Sequence, residues 1–393
     1  MYPTLALISL LILISLALFP LARRSGMPLL LVVLAVGMFA GEDGLGGINF
    51  DDYDLAFNLG SIALAIILFA GGLETDKGVF RSSGLPALIL AFPGVIITGA
   101  IVGGAAHIVL GMPLVPAFLL GAVLAPTDAA ATFMLIQHGE LKLRERLKNT
   151  LMLESGFNDP TAMSLAIILT GLVGATLQTA QAEWVEYLMM FFAQLAFGVI
   201  GGLAGGKILA ETINRLPMPA GTYPVLVIQG GILVFALTTL VGGSGFLAVY
   251  IAGIVLRNRL KIPLDRITNF AEGLQWLSQV LLFLTLGLLV TPSDLPGVIG
   301  PALVCSAVLI FIARPVAVFL GVGAMKFNLR ELTFLSWVGL RGAAPILFAI
   351  YPIVTPGAVT PDFFNIVFVV VVMSLTLQGF TAGALGRALK LDQ

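Results

Sequence analysis

Thirteen apolar runs follow one another along the chain with little between them, near 3–22, 27–41, 55–73, 85–110, 114–137, 147–174, 184–210, 222–241, 244–257, 267–290, 297–323, 331–353 and 362–386. A helix of roughly 20 residues crosses a hydrocarbon core about 30 Å thick. Inside that core each backbone N–H and C=O has to find its partner within the protein, which makes such runs helical. The expected fold is therefore an all-α polytopic membrane protein with about 13 transmembrane helices. The runs 27–41 and 244–257 are short and need help from their flanks. Of 393 residues, 59% are hydrophobic and 10% are charged, where a soluble protein carries about a quarter charged. No basic run is long enough for nucleic acid. Cys305 is alone, so neither an intramolecular disulfide nor a Cys-based metal site can form. His107 and His138 are far apart in sequence, against a zinc site, and His107 is read as a packed residue. No cofactor and no enzyme chemistry are expected.

Charge in the connections alternates with the runs. On one set sit Arg23, Arg24, Lys77, Arg81, Lys142, Arg144, Arg146, Lys148, Lys207, Arg215, Arg257, Arg259, Lys261, Arg266, Lys326, Arg330, Arg387 and Lys390, and the opposite set has no basic residue. The positive-inside rule puts that basic side and the C-terminus in the cytoplasm and, with thirteen spans, the N-terminus outside. The opposite side carries Glu42, Asp43, Asp51, Asp52, Asp54, Glu183, Glu186, Asp294 and Asp362, a solvated acidic face. Residues 1–22 have no positive segment before them and read as a first span rather than a cleaved signal peptide. No soluble domain is expected within the 393 residues, and a cytoplasmic regulatory domain would lie outside them.

Against this background the run 147–174 is costly. It contains Glu154-Ser155-Gly156-Phe157-Asn158-Asp159-Pro160, and a central Asp alone opposes insertion by roughly 2.5 to 3.5 kcal/mol. On a helix Glu154 aligns with Asn158 and Ser155 with Asp159, two adjoining stripes. Pro160 lacks an N–H and leaves the Gly156 carbonyl without its helical partner. The fifth run holds Ala125-Pro126-Thr127-Asp128 in its middle, where Pro126 frees the Ala122 carbonyl and Thr127 and Asp128 add oxygens. The twelfth is interrupted by Gly339-Leu340-Arg341-Gly342-Ala343-Ala344-Pro345. Two interrupted spans seven helices apart suit an inverted repeat, whose broken helices present half-helix ends and freed carbonyls to a midplane ion site. Arg314 stands among apolar residues and cannot discharge, so it needs a carboxylate, for which Glu154 is the best candidate. Glu272, Gln275 and Gln279 form a stripe that either lines an aqueous funnel or bonds within the bundle. Gly242-Gly243-Ser244-Gly245 matches an intramembrane serine protease motif, but the histidines lie far upstream and no base accompanies it.

Taken together, Thr127-Asp128 in a broken helix, Glu154-Ser155 with Asn158-Asp159, Arg314, and Gly339-Leu340-Arg341-Gly342 resemble the NhaP-type monovalent cation/proton antiporters, the branch that includes animal sodium/proton exchangers. The likeness covers nearly the whole chain, and residues 126–131 look closest to bacterial potassium/proton members. The resemblance implies a single transmembrane antiporter unit over 1–393, with repeats 1–174 and 222–390 joined by a linker helix 184–210. It implies that Asp159 binds cation and proton alternately, with Thr127, Asp128, Ser155 and Asn158 lining or supporting the site. Glu154 and Arg314 would form a buried structural ion pair, and Arg341 would stabilise the crossing of the broken helices. It implies a homodimer in a cell inner membrane, exchanging Na⁺, K⁺ or Li⁺ for H⁺ across the lipid bilayer. Asn158 offers no second carboxylate beside Asp159, so exchange is expected to be electroneutral. The alternative is a cation channel, which would need a continuous pore and a ring of ligands around an axis; this sequence has one unsymmetrical cluster.

Overall fold

The computed structural model describes residues 2–25, 28–128, 143–179 and 184–391. Every regular segment among them is helical, and the one β-bridge joins Gly41 to Ile48. Each of the thirteen expected spans corresponds to a helix or to a run of helices in series. In order these are α1 (Tyr2–Ala17), α2 (Phe19–Ser25), α3 (Leu29–Ala40), α4 (Tyr53–Glu74), α5 (Lys77–Ile89), α6 (Val95–Leu110) and α7 (Leu114–Leu124). Then come α8 (Glu145–Thr179), α9 (Trp184–Arg215), α10 (Tyr223–Leu240), α11 (Gly245–Arg259), α12 (Asp265–Leu288), α13 (Ile299–Val308), α14 (Arg314–Val322), α15 (Leu329–Trp337), α16 (Ala343–Val354) and α17 (Pro361–Ala388). Eight of the spans are long and apolar enough to cross a membrane on length and composition, while α3, α7 and α16 are shorter apolar helices. The second half of the fifth span, with His138 and Lys142, lies outside the described residues.

Local chemistry explains where the helices start. The side chain of Asp52 accepts from the Leu55 N–H and that of Asp76 from the Val79 N–H, both at 2.8 Å. Asn328 and Glu331 form a reciprocal capping box at α15. Close backbone approach does the packing that a hydrophobic effect cannot do in lipid. Gly72 and Gly253 face each other where α4 meets α11, and a Cβ on Gly253 would come within 2.6 Å of the Phe69 carbonyl.

The connections sort into two ends as the charge alternation requires. At the basic end, Arg146 donates to the Lys326 carbonyl at 2.8 Å, Arg144 pairs with Glu331 at 3.3 Å, and the Lys77 N–H donates to Asn258 at 2.9 Å. At the acidic end the Ser293 N–H donates to Asp43 at 2.8 Å. The Ser293 side chain and backbone hold that carboxyl below its ordinary value. His107 is not packed as expected. It is exposed at the end of α6, where its ring bonds the Met112 carbonyl at 2.7 Å across the turn made by Gly111 at φ 68°.

Two irregularities recur seven spans apart. The fourth and eleventh spans each contain one π-helical turn, Leu90–Gly94 with Pro93 inside it and Leu309–Ala313 just before Pro315. The fifth loses helical structure at 125–128, where its described residues end, and the twelfth in mid-course at 338–342. The π-turns and the breaks thus recur at the same spacing of seven spans.

Candidate functional site

The two breaks meet. The Asp128 N–H donates to the Leu340 carbonyl at 2.8 Å, linking the two non-helical segments directly. Arg341, 1% exposed, reaches across and donates from Nη1 to the carbonyls of Ala125 and Pro126 at 2.5 and 2.6 Å. The expectation that Pro126 would leave the Ala122 carbonyl free is corrected here. Ala125 N–H turns back to that carbonyl at 3.3 Å, and the exposed carbonyls are the next ones along, both taken by Arg341. Pro160, by contrast, breaks nothing, because α8 runs through it from Glu145 to Thr179.

Gly342 caps the N-terminus of α16, and a Cβ there would overlap the Asp128 carboxylate. The close approach therefore requires glycine. It also sets the carboxylate against the positive end of a helix dipole, where an anion is favoured.

The α8 cluster lies beside this crossing. Asn158 Nδ2 donates to Thr127 Oγ1 at 2.7 Å, and Thr127 Oγ1 lies 3.1 Å from Ser155 Oγ. Thr127, Ser155, Asn158 and Asp159 are all at most 4% exposed. Asn158 Oδ1 and Asp159 Oδ1 are buried without a hydrogen-bond partner. Unsatisfied buried acceptors are costly and rare, and each needs a reason. Asp159 and Asp128 open onto one cavity of about 60 Å³, also lined by Gly156, Tyr250, Gln275 and Gln279. That is room for water or a small cation.

Glu154 pairs with Arg314 as the sequence suggested. The guanidinium grips the carboxylate with both nitrogens, Nη2–Oε2 at 2.9 Å, and Nη2 also donates to the Leu335 carbonyl at 3.3 Å. The pair lies away from the cavity lining, on the α14–α15 side of α8. Ala129, Ala130 and Ala131 fall outside the described residues.

Several lining groups were not singled out in the sequence. Tyr250 of α11 packs its ring edge-on to Phe157 at 4.8 Å between centroids, and a Cβ on Gly156 would strike that ring. Glu74, Thr75 and Met152 line both this cavity and a second, wider one that also meets Lys148 and Glu272. Glu74 and Glu272 are exposed. The funnel alternative for the stripe thus fits the structure: Gln275 and Gln279 face the inner cavity and Glu272 the outer one, at the basic end of the bundle.

A family model described as sodium/hydrogen exchanger, transmembrane, matches residues 9–388. The K(+)/H(+) antiporter NhaP of Alkalimonas amylolytica is 42% identical over 392 residues, covering 99% of this chain and 67% of that protein. The K(+)/H(+) antiporter NhaP2 of Shewanella sp. (strain MR-4) is 41% identical over 382 residues, covering 96% and 66%. The chain thus spans about two thirds of the length of these curated relatives. The sodium proton antiporter MjNhaP1 of Methanocaldococcus jannaschii superposes with a TM-score of 0.85 at 24% identity, covering 98% of each chain, and shares the fold.

Proposed function

The chain belongs to the sodium/hydrogen exchanger family, and we propose that it is a secondary antiporter that exchanges a monovalent cation for H⁺ by alternating access. The observation that carries this is the pair of unpartnered acceptors, Asp159 Oδ1 and Asn158 Oδ1, buried beside a cavity that also receives Asp128. Such a site is unstable empty and becomes satisfied by a proton or by a cation. Proton and cation compete for the Asp159 carboxylate, and crossing with a bare buried charge is disfavoured by desolvation. Obligatory exchange follows.

In this reading Asp159 is the carrier, Ser155, Thr127 and Asn158 supply or orient neutral oxygens, and Asp128 stays fixed in one protonation state beside the α16 N-terminus. Glu154 and Arg314 hold α8 to α14 as a structural pair, and Arg341 fastens the two breaks together. Repeats 1–174 and 222–390 around the helix 184–210 are supported by the paired π-turns and breaks. The basic end faces the cytoplasm of a cell whose inner membrane holds the protein as a homodimer, so the double cavity is an inward-facing funnel. K⁺ is the cation favoured by the names of the two curated relatives, with Na⁺ and Li⁺ as the further candidates. A cation channel is disfavoured because, among the described residues, the site is one unsymmetrical cluster of Thr127, Ser155, Asn158 and Asp159 rather than a ring around an axis.

The test is cation-dependent proton flux in proteoliposomes of the purified chain, titrated with K⁺, Na⁺ and Li⁺. Saturable flux that needs a counter-ion on the far side is expected. Single-channel current without counter-ion dependence would overturn the reading.

A further inference from the structure

The break at 338–342 removes a helical hydrogen bond, the one that an uninterrupted helix would form from the Arg341 N–H to the Trp337 carbonyl four residues back. Neither group is left open. The Arg341 N–H donates to Ser374 Oγ at 3.0 Å, Ser374 Oγ donates to Gln378 Oε1 at 2.5 Å, and Gln378 Nε2 donates to the Trp337 carbonyl at 2.7 Å. Two side chains on α17 thereby form a relay with the polarity of the missing bond. Ser374 is fully buried and Gln378 is 1% exposed, so water does not compete with them. One helical turn on, Thr381 Oγ1 accepts from Trp337 Nε1 at 2.9 Å, placing Ser374, Gln378 and Thr381 along one stripe of α17. Two neighbouring groups at the break are held as well: the Leu340 carbonyl accepts from Asp128, and the Val338 N–H donates to Phe334 at 2.8 Å.

We propose that Ser374 and Gln378 are positioning residues for the cation site, a splint that holds the twelfth span open so that Arg341 can clamp the first break. Neither of them lines the cavity. Their effect passes through the Arg341 backbone to its guanidinium, from there to the Ala125 and Pro126 carbonyls, and so to Thr127 and Asp128. Without Ser374 the Arg341 N–H loses its partner inside a dry bundle, and without Gln378 the Trp337 carbonyl loses its own. The cheapest repair is to rewind toward a continuous helix, and that draws Arg341 and Gly342 away from Asp128. The inference rests on the exchanger reading, because it assigns the splint to the site where cation and proton compete.

The test compares Ser374→Ala, Ser374→Thr, Gln378→Leu and Gln378→Glu with the parent. Two readouts are taken: the cation concentration giving half-maximal exchange in proteoliposomes, and the cation concentration giving half-maximal thermal stabilisation of the purified protein. Ser374→Ala and Gln378→Leu are expected to raise both concentrations about fivefold or more, the equivalent of one lost hydrogen bond. Gln378→Glu should behave like Gln378→Leu, because it keeps the acceptor but removes the donor to Trp337. Ser374→Thr retains the hydroxyl and should stay near the parent. Should Gln378→Leu fail to fold, the smaller Ser374→Ala change and its threonine rescue decide the matter. Variants that melt earlier but keep the parent's half-maximal concentrations would reduce the splint to a structural brace and overturn the inference, as would a threonine that does not rescue. A parent that neither exchanges nor is stabilised by any of the three cations overturns the exchanger reading, and the splint's role with it.

Discussion

Glu154→Gln separates structural from transporting carboxylates most sharply. It preserves the shape of the side chain and removes its charge, leaving Arg314 buried with a cation and no anion. The two side chains are 1% and 4% exposed, so solvent cannot screen the loss. Arg314 Nε already lacks a partner, and the Leu335 carbonyl at 3.3 Å is a poor substitute for a two-pronged carboxylate. Breaking a buried pair by removing one member costs about 3 to 5 kcal/mol. For a chain of this size that is a fall in melting temperature on the order of 5 °C. Scanning fluorimetry of the detergent-purified protein reads it directly. The double variant Glu154→Leu/Arg314→Met should recover much of the loss, because an apolar replacement of the pair strands no charge. Exchange by the surviving Glu154→Gln protein is expected to persist in part, at the parent's half-maximal cation concentration. A variant as stable as the parent but inactive would refute the reasoning and move Glu154 into the transport site.

Asp159→Asn keeps volume and hydrogen-bonding capacity but cannot alternate between proton and cation, so it should abolish exchange of K⁺, Na⁺ and Li⁺ while the purified protein melts near the parent; residual antiport would remove Asp159 from the carrier role. Gly342→Ala drives a methyl group into the Asp128 carboxylate. A displacement of about 1 Å at a site of this kind lowers turnover about a hundredfold, and exchange at the parent's rate would show that the close approach does not matter. Exchange itself is expected to be electroneutral. A cation-driven pH change measured with Na⁺ or Li⁺ should keep its rate under a potassium–valinomycin potential, although 100 mV biases each net charge by about 2.3 kcal/mol. Acceleration by the potential would reveal a second titrating group.

The spans and the Glu154–Arg314 pair were legible because lipid forbids what water tolerates. An ionisable residue in a run such as 147–174 stands out at once, and Arg314 pointed to a carboxylate because it cannot lose its proton. What was not legible depends on contacts between distant segments. Pro126 signalled a break, but which carbonyls it would expose depended on the Ala125 N–H folding back and on Arg341 arriving from 215 residues away. Gly342 stood out as part of the Gly339-Leu340-Arg341-Gly342 interruption, but only the approach of Asp128 shows why that position needs glycine. Ser374 and Gln378 are a polar pair at spacing four in an apolar helix, a visible signal, but sequence alone does not name the two backbone groups they satisfy. His107 was misjudged because a histidine near a helix end packs or caps with equal ease, and the turn at Gly111 decided for capping.

The buried charges give a reason for the proposed one-to-one coupling that no single residue supplies. Around the crossing lie Glu154, Asp128 and Asp159, and against them Arg314 and Arg341; Asp159 lies within electrostatic reach of both Asp128 and Arg341, and Arg341 within reach of Arg314, Glu154 and Asp159. With all five groups ionised the cluster carries one unbalanced negative charge. A proton or a monovalent cation brings it to neutrality, and a divalent cation would overshoot by one. An unbalanced charge held in a water-poor interior costs several kcal/mol, so both neutral forms are favoured for crossing over the bare one. Two arginines set against three carboxylates leave one charge over, and the proposed carrier Asp159 is where a proton or a cation would meet it. On this proposal the charge count sets the stoichiometry, and the neutral oxygens of Thr127, Ser155 and Asn158 act only on which cation is bound.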